Sequence, residues 1–217
     1  QFHNLDDINI ILNAFSSLGF DAVFEVSKAA ELISEATRRY LSKPGIKKPL
    51  ISSACPAVVR LITVCFPELI DNIFTVNAPV EEAGRLAREK AVKKTGLNPE
   101  EIGVFFITPC PAKITSFKNP IGVNKSNIDG AIAINEIYPS LLKAMEKLDT
   151  TDGLKALHES GVIGISWATS GGEAAGTLDD DALFVDGIEN CMKILEEVDR
   201  GNLDNVKFIE LNACQGG

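Results

Sequence analysis

Several stretches of this chain are apolar along their whole length, and that limits the folds open to it. Residues 102–107 and 128–134 are nearly uniform hydrophobic runs of strand length. Residues 162–166 and 206–211 also read as strands, with shorter ones at 20–26, at 50–53 and at Phe184-Val185. A strand with one wet face alternates apolar and polar residues; a strand apolar throughout is covered on both faces. Between these runs lie segments of helical periodicity, at 5–18, 27–42, 57–66, 80–95, 135–148 and 187–198. In these segments Gly19 reads as a helix stop, Ser27 as an N-cap and Pro139 as a first-turn proline. The lysine/proline/glycine stretch 43–48 and the polar stretch 115–127 read as loops. Strand and helix in alternation predict an α/β fold with parallel sheet covered by helices.

The chain has 217 residues, enough for one large domain or two small ones. Hydrophobic residues make up 45%, which supports a sizeable core and argues against disorder. The formal charge is −9. An acidic chain lacks the basic face that nucleic acid or anionic lipid requires, so neither is an expected partner. No apolar run approaches the roughly 18 residues of a membrane span. No signal peptide opens the chain, which favours a reducing, cytoplasmic setting.

Five cysteines occur, at 55, 65, 110, 191 and 214. An odd number of scattered thiols does not make a disulfide framework. Cys55, Cys110 and Cys214 each follow an apolar run, in Ser-Ala-Cys-Pro, Thr-Pro-Cys-Pro and Ala-Cys-Gln-Gly-Gly. Ligands of open α/β sheets bind beyond the carboxyl ends of strands, so three thiols from distant segments are expected at one edge. Loops of small residues also let backbone amides approach a bulky group. Single free cysteines are usually small buried hydrophobes, and Cys65 and Cys191, set among isoleucines, read that way.

Structural zinc favours short C-x-x-C pairs, and none occurs. A cysteine hydrolase wants a histidine partner, whereas His3 and His158 lie in polar, apparently solvent-facing stretches. Phosphate-binding glycine fingerprints are absent. An iron–sulfur cluster on dispersed thiolates remains.

Three segments resemble the signature motifs of the iron-only ([FeFe]) hydrogenase catalytic domain. They are Ser53-Ala54-Cys55-Pro56, then Thr108-Pro109-Cys110-Pro111-Ala112-Lys113, then Glu210-Leu211-Asn212-Ala213-Cys214-Gln215-Gly216-Gly217. Supporting resemblance lies at 18–24, Phe66-Pro67-Glu68-Leu69, Asp129-Gly130-Ala131-Ile132 and 164–172, in the family's order. The resemblance covers nearly all of residues 1–217. It implies two intertwined α/β lobes of parallel β-sheet flanked by helices, with a cluster site between them. That site is the H-cluster, a [4Fe–4S] cubane joined through one thiolate to a two-iron subcluster carrying CO and cyanide. Cys55, Cys110 and Cys214 match cubane ligands, and Lys113 matches the lysine that pairs with a cyanide. The fourth family ligand would fall at position 218. The 217-residue chain is therefore expected to be a domain cut from a longer protein, inactive and without cluster on its own. H₂ and protons are the implied substrates, with ferredoxin-like electron-transfer and signalling modules as partners in the parent chain.

Departures from the family pattern point to low turnover. The proton-relaying cysteine before the first ligand is Ala54, which carries no ionisable proton. Thr108 and Asn212 replace cluster-packing methionines, Ser116 replaces a glutamate, and Phe74 lies where a relay serine is expected. These departures resemble the divergent, sensory branch of the family, for which H₂ or redox sensing is implied. The alternative is a non-catalytic relative that keeps only the cubane, for electron transfer or cluster assembly. A single-nucleophile cysteine enzyme is a weaker third reading, for want of a histidine.

Overall fold

The computed structural model describes residues 7–120, 124–148 and 153–217. The described helices begin with α1 (Ile8–Ser16), α2 (Val26–Leu41), α3 (Pro56–Cys65), α4 (Pro79–Thr95) and α5 (Pro111–Ser116). They continue with α6 (Ile134–Glu146), α7 (Val162–Ser166), α8 (Gly172–Gly176) and α9 (Ile188–Asp199). The strands are β1 (Leu50–Ile51), β2 (Phe105–Thr108), β3 (Gly130–Ala133), β4 (Ala182–Asp186) and β5 (Phe208–Asn212). Among the described residues they form two sheets, one ordered β1-β5-β4 and one of β2 and β3, and every pairing is parallel. The expected α/β fold with parallel sheet and flanking helices is thus what the chain adopts.

Parallel pairing needs a long crossover between paired strands, and helices supply it. β5 joins the sheet last and takes its centre, with Ile51 opposite Ile209 on one side and Leu183 opposite Ile209 on the other. Residues 208–211 are accordingly buried in an unbroken row. Around them Ile51, Val58, Ile62, Leu69, Cys191 and Leu195 close the largest core. A second cluster, of Leu41, Leu50, Phe74 and Phe208, includes Phe74, whose ring lies 5.0 Å from that of Tyr40.

α4 shows local sequence and fold agreeing. Pro79 opens it, Glu81 and Glu82 stand in its first turn, Lys93 and Lys94 stand in its last, and Gly96 closes it with φ +73°. These charges complement the helix dipole, and the left-handed cap suits glycine. Arg88 on this helix donates to the carbonyls of Pro99 and Ile102 and, at 2.6 Å, to Asp129. Asp129 in turn accepts from the Val104 N–H at 2.7 Å. Burial opposes ionisation of Asp129, but the Val104 amide and Arg88 outweigh it and hold its pKa below the usual value. The pair pins the entry to both β2 and β3, and Cys110 lies at the far end of β2.

Several expectations are corrected. Residues 162–166 are helix α7 rather than a strand, and of the expected strand 20–26 residues 20–25 are irregular while Val26 begins α2. α2 begins at Val26 with Glu25 as its cap, so Ser27 lies inside the helix. Pro139 lies in the second turn of α6. The expected loop at 115–127 is interrupted at its start by α5, and part of it, like Leu5 of the expected first helix, lies outside the described residues.

α7 packs on α2 through Gly164, where an added Cβ would stand 2.4 Å from the Ser27 carbonyl oxygen. Gly164→Ala is therefore expected to lower stability by about 1–3 kcal/mol in urea unfolding. Ile165→Ala, at a neighbouring exposed position, is expected to stay within about 0.5 kcal/mol of the parent.

Candidate functional site

Cys55 and Cys110 occupy matching positions in different sheets. Each caps the helix that follows a strand, with φ −95° and ψ 105° at Cys55 and φ −92° and ψ 111° at Cys110. Each is followed by proline at the first helical position, where the missing N–H is no loss and φ is already suitable. Each is preceded by a hydroxyl residue that turns the chain. Ser52 Oγ accepts from the Ala54 N–H at 3.1 Å, and Thr108 Oγ1 accepts from the Cys110 N–H at 3.1 Å. The two thiols are half-buried. Neither side chain caps its helix by a hydrogen bond.

Cys214 is exposed, just beyond β5. Its loop is strapped on two sides. The Gly216 N–H donates to Asp186 Oδ2 at 2.9 Å, and the Ser170 N–H donates to the Gly216 carbonyl at 3.2 Å. Gly217 lies so close to the 168–170 turn that a Cβ there would stand 2.7 Å from the Ser170 nitrogen and 2.8 Å from the Ala168 oxygen.

Beside these loops is a small cavity of about 60 Å³, lined by Ala54, Lys113, Trp167, Glu173, Glu210, Asn212 and Gly217 among others. Pockets for organic ligands run to about 300–1,000 Å³, so this one is small for them. Lys113 is half-buried and makes no ion pair among the described residues. The Trp167 indole N–H is buried without a hydrogen-bond partner. Two unengaged donors thus belong to the cavity wall, where an anionic or acceptor group would satisfy them.

Two buried carboxyl groups share that wall. Glu210, on β5, accepts from the N–H groups of Gly171 at 3.0 Å and Ala174 at 2.8 Å, and from Asn212 Nδ2 at 2.8 Å. Burial outweighs those bonds and raises its pKa. Glu173, on α8, accepts from Ser52 Oγ at 2.6 Å. Burial, reinforced by the charge of Glu210, pushes its pKa up to about 8, against the opposing pull of Ser52 and Lys113.

The sequence-predicted residues fare unequally. Lys113 and Ala54 meet at the cavity. Cys55, Cys110 and Cys214 lie at strand ends as expected. Among the described residues no three of His, Cys, Asp or Glu converge closely enough for one metal ion. A single-ion zinc site is therefore not formed by them. A cubane differs in taking its thiolates at separate irons. Cys191 is buried and its thiol donates to the Asn212 carbonyl at 3.3 Å, as a packing cysteine should. Cys65 is exposed, not packed, because it closes α3 one turn past the buried Ile62. His158 is half-buried and engaged with Glu25, Nδ1 to Oε1, at 2.6 Å rather than solvent-facing. His3 lies outside the described residues.

Thr108 and Asn212, expected beside a cluster, act here through hydrogen bonds to Cys110 and Glu210. Ser116 donates back to the Lys113 carbonyl at 3.0 Å. Trp167, Ser52 and Glu173 were not singled out by sequence reasoning, and Glu210 entered only as a motif letter. A charge inside the apolar run 206–211 was the available signal for Glu210; Glu173 offered none beyond its place after Gly171-Gly172.

The fold is thus a parallel α/β architecture with cysteine loops at strand ends. The comparisons narrow it. Residues 4–178 match the family described as "Iron only hydrogenase large subunit, C-terminal domain", and the chain belongs to that family. It is 24% identical over 188 residues to iron hydrogenase 1 of Clostridium pasteurianum, covering 82% of this chain and 33% of that protein. It is 26% identical over 184 residues to the probable cytosolic Fe-S cluster assembly factor oxy-4 of Caenorhabditis elegans, covering 76% and 39%. The chain thus spans well under half the length of these curated relatives. A variant of [FeFe]-hydrogenase HydA1 from Chlamydomonas reinhardtii has the same fold, with a TM-score of 0.69 at 15% identity over 96% of this chain and 71% of that one. No helix among the described residues is long and apolar enough to cross a membrane.

Glu173 yields a pH prediction. Its folded pKa, about 8, lies above the usual 4.5, so between those values the folded chain holds a proton that the unfolded chain releases. Stability from this group is complete below about pH 4.5 and is lost as pH rises toward 8. At about 1.4 kcal/mol per unit this amounts to a few kcal/mol. Urea unfolding of Glu173→Gln is expected to lose most of that decline and to exceed the parent in stability at pH 8.

Proposed function

We propose that these residues form a cluster-binding, hydrogenase-like domain that handles H₂ and protons slowly and serves to sense H₂ or redox state. The observation that carries the reading is the matched pair of Cys-Pro helix starts at Cys55 and Cys110, opening beside a cavity that holds Lys113 and Ala54. Cys55, Cys110 and Cys214 would hold a [4Fe–4S] cubane. A two-iron subcluster, when bound, supplies the hydride and electron chemistry of H₂. The chain's own contribution is positioning and electrostatics. Lys113 offers an unpaired ammonium to a cyanide ligand, and low dielectric strengthens that attraction. The Trp167 N–H adds a second donor. Ala54 offers nothing ionisable, and removing a positioned acid–base group typically costs about 10²–10⁴ in rate, which favours sensing over production. Electron-transfer and signalling modules in the parent chain are the partners this role requires.

A second reading keeps only the cubane, for electron transfer or cluster assembly. Two observations favour it. The cavity, at about 60 Å³, is small for a two-iron unit with its diatomic ligands. The relatives also include proteins named as cytosolic Fe-S cluster assembly factors.

Anaerobic reconstitution of the full-length protein with iron, sulfide and a synthetic two-iron precursor separates the readings. Infrared bands of metal-bound CO and cyanide are expected, weakened or shifted in Lys113→Ala. Cubane-type spectra with no such bands would leave the second reading. Ala54→Cys is expected to raise H₂ turnover in the loaded protein, and an unchanged rate would mean that proton delivery is not what limits it.

A further inference from the structure

We propose that Glu173 and Ser52 form a proton-handling pair in the cavity wall, with Glu173 as the acid that exchanges protons with whatever is bound there. The inference rests on the reading that protons are consumed or released in this cavity. Its own support is geometric. Glu173 is 6% exposed yet lines the cavity together with Ala54 and Lys113. Among the described residues its carboxyl meets one donor, Ser52 Oγ at 2.6 Å, and Ser52 is also the acceptor for the Ala54 N–H at 3.1 Å. A single line of hydrogen bonds therefore joins the acid to the backbone beside Cys55, at the residue whose own side chain has no proton to give.

A carboxyl group this deeply buried is not a packing element of ordinary cost. Desolvation disfavours its charged form, so it persists as a neutral acid or with a compensating partner. Two charged groups act on it. Glu210 on β5 opposes its ionisation, and Lys113 on α5 favours it. Arg38, the cation of α2 that reaches α8, is bonded to the Gly176 carbonyl and to Glu35 instead. The proton on Glu173 is thus held against a nearby ammonium, a balance that a change of charge in the cavity would tip. When negative charge builds up there, the proton leaves the Glu173 carboxyl oxygen for the bound group. The carboxylate, steadied by Ser52 and Lys113, then regains a proton from water. No electron and no other reactant is needed for this exchange. The pair is distinct from a merely structural hydrogen bond in that it requires a pKa within reach of neutral pH.

The test has two arms. In the metal-free chain, infrared difference spectra should show a protonated-carboxyl carbonyl band at pH 7 that titrates near pH 8. The band should vanish in Glu173→Gln and shift in Ser52→Ala. In the loaded full-length protein, H/D exchange should show an alkaline limb of matching pKa. Glu173→Gln should slow exchange about 10²-fold and flatten that limb, and Glu173→Asp should restore part of both. Absence of the carboxyl band at pH 7, or an exchange profile untouched by Glu173→Gln, overturns the proposal. If the parent protein takes up no two-iron unit, the preceding reading fails instead, and the band in the metal-free chain decides whether Glu173 is the proton-holding group.

Discussion

The site depends on one buried carboxylate, Glu210, in the middle of an apolar strand. β5 is covered on both faces and paired on both edges, so a charged side chain within it finds no water. Its cost is partly offset by N–H groups that must be brought to it. Gly171 and Ala174 supply two from α8 and the residue before it, and Asn212 supplies a third. Once those bonds are made, α8 is fixed over the end of the sheet, and Glu173 beside Ala174 faces Ser52. The turn at 168–170 is carried along, and with it Trp167 and the contact to Gly216. The third cysteine loop is therefore placed by a polar interaction inside the core rather than by packing alone.

Parallel topology does the rest. With β1, β5 and β4 parallel, the chain leaves each strand at the same edge, and the Ser52–Cys55 and Cys214 loops emerge side by side. The β2–β3 sheet repeats the device at Cys110. The hydroxyl of Ser52 or Thr108 turns the chain, and a proline starts the next helix. Two unrelated stretches reach nearly the same backbone angles at their cysteines through a shared Cys-Pro helix start, although the turning hydroxyl stands three residues before Cys55 and two before Cys110. The sheets themselves are stabilised by burial that the cysteines do not take part in, apart from Cys191 and the edge of Cys55.

What was legible in the sequence follows the same division. The runs that became β2 and β3 stood out as nearly uniform apolar stretches although most of their residues are only part-buried, whereas the buried strand β5 carries Glu210 within its run. The cysteine-proline loops were legible as motifs, and the family resemblance rested on them. The run 162–166 misled because five apolar residues are too few to reveal a period. It folds as a helix with Val162 and Ile165 outward and Gly164 inward, against the Ser27 carbonyl. The stretch at 20–24 had β-branched and aromatic residues but no partner strand to pair with. Cys65 shares the spacing of Ile62, yet the helix ends there and leaves it in solvent. Glu173 and Trp167 were illegible for a different reason: their roles come from long-range contacts, and nothing in their neighbours along the chain reports them.

The two carboxyl groups and Lys113 also explain where a proton in this site should reside. The charge of Glu210 disfavours ionisation of Glu173, so the charge state of one bears on the other. Both are buried, and burial alone does not choose between them. The hydrogen bonds do. Glu210 accepts three N–H bonds, which stabilise its anion, whereas Glu173 accepts a single hydroxyl. Hydrogen bonds from N–H groups to a carboxylate are among the strong ones, so they hold the Glu210 anion better than the Glu173 anion is held. The bonds that hold α8 against β5 are thus the same bonds that leave Glu173 protonated. Any substitution that loosens α8 from Glu210 should change the protonation of the cavity as well as its shape, because structure and acidity here rest on one set of donors.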